Sequence, residues 1–150
     1  MRGQTRGSAP TYRDPKGLLQ EVYCLGLLGH VARAEEDYGQ ARMFFEQSLA
    51  VRRELGYRFE IAQSLEDFAC LAARQGQFYR AARLLGAAEA LCEQLRMAAP
   101  VAIAEEYHHT TATARSAVGD EAFAEAFAAG RTLDTVQAIE YALEETEELA

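Results

Sequence analysis

The sequence predicts an all-α fold: a right-handed stack of about three helical hairpins closed by a C-terminal capping helix. Three observations carry this expectation. Apolar residues recur at spacings of three and four along most of the 150-residue chain, which gathers them on one side of successive helices. Nowhere do four to eight residues alternate cleanly between turn residues, as a half-buried strand would. A pattern of side-chain sizes also returns after about 40 residues and then again, the mark of stacked units.

The elements follow in order. Residues 1–13 are polar and rich in Gly, Arg and Ser; they read as a disordered lead-in with no apolar stretch of the kind a secretory signal needs. The repeat domain is expected over 14–150, with Asp14 capping a first helix and Pro15 in its first turn. Leu18, Val22, Leu25, Gly29 and Ala32 form that helix's apolar stripe. After a break at Glu36-Asp37, a second helix turns Tyr38, Ala41, Phe45, Ser48 and Leu49 inward and ends at Gly56. A third carries Ile61, Leu65, Phe68, Ala69 and Ala72 and stops near Gly76, and a fourth carries Phe78, Ala81, Leu85, Ala88 and Leu91. Pro100 opens a fifth, with Tyr107, Thr111, Ala114 and Val118 inside. Gly119 precedes a short sixth with Phe123 and Phe127. Thr132 is the expected cap of a seventh, striped by Val136, Ile139 and Leu143, whose end "EETEEL" extends into solvent.

The repeat decides how the helices pair. A shift by one period lays Leu25 on Leu65, Leu28 on Phe68, Gly29 on Ala69, Ala32 on Ala72, Tyr38 on Phe78, Ala41 on Ala81, Phe45 on Leu85 and Ser48 on Ala88. A second, slightly longer shift lays Leu65 on Tyr107, Ala69 on Thr111, Ala72 on Ala114, Ala81 on Phe123 and Leu85 on Phe127. Small residues at Gly29, Ala69 and Thr111 let a facing helix approach, while aromatic or Leu side chains fill the space beside it. One such pair cannot cover its own apolar face, so pairs stack.

This spacing resembles the tetratricopeptide repeat in a version lengthened to about 40 residues, over roughly residues 16–131. It departs from that family's pattern in lacking Trp and in having no Pro close either clear repeat; Phe123 stands where a small residue is usual, so the third pair is expected to pack differently. The strings "ARLLGAAEAL" (82–91) and "GDEAFAEAFAAGRTLDTVQAIEYALE" (119–144) further resemble the C-terminal helical-repeat region of bacterial signal-transduction ATPases with LuxR-type DNA-binding domains. The resemblance implies a sensory or scaffolding module of a transcriptional regulator. The ATPase core and a complete helix-turn-helix are not in this sequence.

Composition narrows the chemistry. A net charge of −8 repels a phosphate backbone, so direct nucleic-acid binding is not expected. No apolar run approaches the ~20 residues that cross a bilayer. Three cysteines, Cys24, Cys70 and Cys92, are far apart and odd in number, which points to free, mostly buried thiols and a cytoplasmic location. Lys16 is the only lysine, so there is no phosphate-binding Gly-Lys-Ser/Thr loop, and "GLLGH" (26–30) reads as close-packing glycine on a helix. "EEYHH" (105–109) holds two Glu-x-x-His spacings on one helix, whereas a di-iron site needs contributions from several; surface charge pairing is the reading, with a small-ligand or metal site around His108 and His109 as an alternative. No catalytic residue, cofactor or metal ligand is assigned.

What remains is the inner curve of the stack. The side of each first helix opposite its core stripe carries Tyr23, His30 and Arg33, then Gln63, Glu66 and Arg74, then Glu105, His108 and Arg115. Arg33, Arg74 and Arg115 are evenly spaced along the chain, and as a ladder they would suit the carboxylates of an acidic segment. The expected function is a non-enzymatic protein-interaction module that binds a protein or peptide segment, from a partner or another domain of its parent chain. Self-association through Leu18, Leu19 and Val22, or through the last helix, is the alternative.

Overall fold

The computed structural model describes residues 15–96 and 104–144, and among these it holds seven helices and no strand. They are α1 (Pro15–Ala34), α2 (Tyr38–Leu55), α3 (Arg58–Arg74), α4 (Phe78–Leu95), α5 (Ala104–Val118), α6 (Asp120–Arg131) and α7 (Thr135–Leu143). Asp14, Pro100 and most of "EETEEL" lie outside the described residues.

The turns repeat as faithfully as the core. Between α1 and α2 the chain passes through Glu36 at φ 64°, and Asp37 N–H donates to the Ala32 carbonyl at 2.9 Å. One repeat later Gly76 stands at φ 79°, and Gln77 N–H donates to Ala72 at 2.8 Å. The ends of the second helices match in the same way: Gly56 (φ 72°) ends α2 and Arg96 (φ 57°) ends α4, each in the left-handed form that satisfies terminal carbonyls. Asp37 also caps α2 by accepting from Gln40 N–H at 3.2 Å.

The inward stripes predicted for α2, α3 and α4 are where the core lies. Ala41, Phe45, Ser48, Leu49, Ile61, Leu65, Phe68, Ala69, Ala72, Ala81, Leu85, Ala88 and Leu91 are all buried. Gly29 behaves as expected: a Cβ there would overlap the Phe45 ring, so the glycine sets the α1–α2 separation. Gly26 differs from its reading as a packing glycine, because a Cβ there would lie 3.8 Å from Asp67 Oδ2, an ordinary contact.

The third pair departs from the first two. α6 packs chiefly on α4 rather than on α5, with Gly86 against the Phe127 carbonyl and Gly130 against the Arg83 carbonyl, each too close for any side chain. Phe123, at 2 % exposure, packs there with Ala82, Ala114 and Ala126 as a small second core. α7 folds back onto α3 and α4. Its cap is Asp134, in a reciprocal pair with Gln137, and not Thr132, which instead ends α6. Its buried side is Ala138, Ile139 and Ala142, while Val136 is 57 % exposed; the flat alanine face lies closest to α3 and α4. Arg80 fastens the helix end by donating to the carbonyls of Tyr141 and Ala142 at 2.8 and 3.0 Å, and Arg42 to that of Leu143 at 2.8 Å.

Candidate functional site

The residues expected along one groove divide into three settings. Tyr23, His30 and Gln63 come together around a pocket of about 80 Å³ between α1 and α3, completed by Gly26, Leu27, Asp67 and, from α2, Arg52. Arg115 lines a separate, wider cleft of about 370 Å³ with Tyr107, Phe123, Phe127 and Arg131; its guanidinium lies 4.6 Å from the Phe123 ring centre. Arg74, Glu105 and His108 are exposed.

The arginine ladder does not form, because Arg33 is inside the protein at 7 % exposure. Arg33 Nη1 meets Glu106 Oε2 of α5 at 3.1 Å, and Arg33 Nε donates to His30 Nδ1 at 3.3 Å. That donation leaves Nε2 of His30 to carry the proton, which it gives to Asp67 Oδ1 at 2.7 Å. A chain of polar contacts thus runs Glu106–Arg33–His30–Asp67 across α5, α1 and α3. Glu66 is likewise interior at 2 % exposure, with Oε1 buried and without a partner. Burial first, and then neighbouring Asp67, push its carboxyl up to about 8, so it is held neutral near pH 7. The two have different causes: α3 is wrapped by α1, α2, α4, α5 and α7, which leaves Glu66 no outer side, whereas Arg33, at the end of α1, is turned inward by its contacts with His30 and with Glu106 of α5.

Sequence reasoning missed Gly26, Leu27, Arg52 and Asp67 as pocket residues. The repeat register held the signal, for Gly26 aligns with Glu66. In the second repeat that place is held by Glu66, close enough to Asp67, Cys92 and Tyr107 for their charges to interact. Burial raises the Cys92 thiol and the Tyr107 phenol there, and the Glu66 and Glu89 carboxylates add to the rise. In the first repeat the same position is glycine, and the crevice stays open. Its wall includes Arg52, 4 % exposed, whose Nη1 donates to Glu60 O at 3.0 Å and Ser64 Oγ at 2.9 Å while its buried Nε has no partner. Burial lowers the Arg52 pKa, and the charges of Asp67 and Glu60 oppose that. The pocket therefore offers a compensated cation, a carboxylate and an amide below an apolar lip of Tyr23 and Leu27, which are 50 % and 48 % exposed.

Cys70 is buried and accepts from the Thr110 hydroxyl at 3.2 Å; burial lifts its thiol to about 12. Cys92 is buried too, but Cys24 is exposed, so the thiols are not all hidden.

The family model of the tetratricopeptide repeat matches residues 21–94, the two hairpins whose turns and cores superpose after a shift of one repeat. Residues 21–94 belong to the tetratricopeptide-repeat family. The repeat domain is also similar to provisionally named HTH-type transcriptional regulators of Mycobacterium bovis and Mycobacterium tuberculosis, at 35 % identity over 121 residues, 81 % of this chain. It spans 14 % of the length of these curated relatives. No solved structure matches it. No described helix is long and apolar enough to cross a membrane.

Proposed function

We propose that this repeat domain is the non-enzymatic interaction module of a cytoplasmic bacterial transcriptional regulator, and that it docks a protein segment along the α1–α3 groove. The segment comes from a partner or from another domain of the parent chain. One observation carries this: the Gly26 crevice is open, lined by polar groups at its base and apolar side chains at its lip, whereas the residue one repeat later, Glu66, is buried at 2 % exposure. Its 80 Å³ is several times the ~10–15 Å³ that admits a single water, and suits one medium side chain projecting from a docked segment. Specificity comes from Arg52, Asp67 and Gln63 at the base, and affinity from burying Tyr23 and Leu27. The finding that the relatives are named as transcriptional regulators supports the setting.

A photo-crosslinking amino acid placed at Leu27 in the intact parent protein tests this. The expected result is a defined crosslinked peptide, identified by mass spectrometry. The crosslink should disappear when Gly26→Met fills the crevice and persist in Gly39→Ala, which meets nothing within 4 Å. A yield at Leu27 no higher than at exposed Glu125 of α6, or one that survives Gly26→Met, defeats the reading.

A further inference from the structure

α1 has a second exposed side, beyond the groove, and the internal repeat says what fits it. On α3 the residues Ser64, Phe68 and Leu71 share one side at i, i+4 and i+7, and they are 1 %, 3 % and 2 % exposed. The helix before them covers that side: Arg52 of α2 donates to Ser64 Oγ, the Phe45 ring lies 5.9 Å from Phe68, and the Arg42 guanidinium sits 5.7 Å from the Phe68 ring centre. One repeat earlier the same three places on α1 are held by Cys24, Leu28 and Val31. Cys24 is exposed, Leu28 is 48 % and Val31 54 % exposed. Their apolar character is that of a buried junction, and nothing among the described residues covers it. Of the first-helix residues expected at an interface between copies, Val22 is 1 % exposed and packs inward.

We infer that this outer face of α1 is an open inter-hairpin junction, and that its partner is a helix of the kind α2 presents to α3. Such a helix carries Arg, Phe, Leu and Arg at the spacing of Arg42, Phe45, Leu49 and Arg52, and is the second helix of a further hairpin of this repeat type. A folded second copy of the chain does not supply it, because its own α2 is already covered by its α3. The domain spans only 14 % of its relatives' length, so proteins of this kind carry ample chain beyond it. Gly26 faces away from the junction and Leu27 stands between the two, but Cys24, Leu28 and Val31 do not line the crevice, so the test rests on residues outside the groove.

The test uses a fluorescent synthetic peptide of residues 37–57 as a surrogate for the missing helix, titrated into the full chain and followed by anisotropy. Saturable binding is expected, weakened at least tenfold by Leu28→Glu with Val31→Glu and unchanged by Val136→Glu, an exposed apolar site on α7. All the substituted residues are exposed, so circular dichroism should show the variants folded. Hydrogen exchange should slow in α1 on binding. Three results overturn the inference: no saturable binding; binding indifferent to the double variant, as when the peptide displaces the resident α2; or a concentration-dependent dimer that forms a Cys24–Cys24 disulfide and that the peptide fails to dissociate, which assigns the face to a second copy.

Discussion

Replacing Gly130 with alanine should be among the most damaging single-methyl additions in this protein. A Cβ there would fall on the carbonyl carbon, oxygen and Cα of Arg83. These are backbone atoms of α4, so no side-chain rotation relieves the overlap and the two helices must part. Overpacking of this kind costs about 1–3 kcal/mol. Parting α4 from α6 also re-exposes part of the small core at Phe123 and Ala126, where full burial of a Phe is worth ~1.5–3 kcal/mol. Alanine's better helix propensity returns ~0.5–1 kcal/mol. The net expectation is a loss of about 2–3 kcal/mol for Gly130→Ala, and a similar loss for Gly86→Ala, which meets the Phe127 carbonyl from the other side. Gly39→Ala, also helical and with nothing near its Cβ, should instead stabilise by ~0.5–1 kcal/mol. Urea unfolding followed by helical circular dichroism separates the three; with a slope of roughly 1–3 kcal/mol/M, the midpoints of Gly130→Ala and Gly39→Ala should lie about 1 M or more apart. A Gly130→Ala protein within ~0.5 kcal/mol of the parent would show that the α4–α6 contact is looser than these distances imply.

Other consequences follow from particular groups. Glu66 titrates near 8 when folded and near 4.5 when unfolded; between those values the folded chain holds a proton the unfolded chain has lost, so stability should fall as pH rises from about 4.5 to 8, by up to ~1.4 kcal/mol per unit. Glu66→Gln should flatten that slope in denaturation midpoints measured from pH 5 to 8, and an unchanged slope would place the titration elsewhere. Native protein should react with a disulfide reagent at one thiol, Cys24, with Cys70 and Cys92 reacting only in denaturant; prompt reaction of all three would contradict their burial. Glu36→Gly should stabilise by a few tenths of a kcal/mol, because relief of a left-handed non-glycine residue at ~1–2 kcal/mol slightly exceeds glycine's entropic cost; thermal unfolding would register a lower midpoint if that turn were not left-handed.

The sequence by itself determined the helices, the two matching hairpins and their core. These depend on local periodicity and on a size pattern that returns with each repeat, both of which are one-dimensional facts: Phe45, Leu65, Leu85 and the turn residues at 36, 56 and 76 stand where the pattern puts them. It also signalled, through Phe123, that the third pair would break the pattern, but not that two glycines would draw α6 onto α4. Gly86 and Gly130 are far apart in the sequence, and only the crossing of their helices shows that each faces a carbonyl. Spacing put Tyr23, His30 and Gln63 on the outer side of their helices, where they line one pocket, but it put Arg33 and Glu66 outside as well, and the fold places both inside. Spacing records which side of a helix a residue is on; whether that side meets water depends on how many other helices surround it. α3 has neighbours on nearly all sides and α1 does not, so the same register gives a buried carboxyl in one and an open crevice in the other.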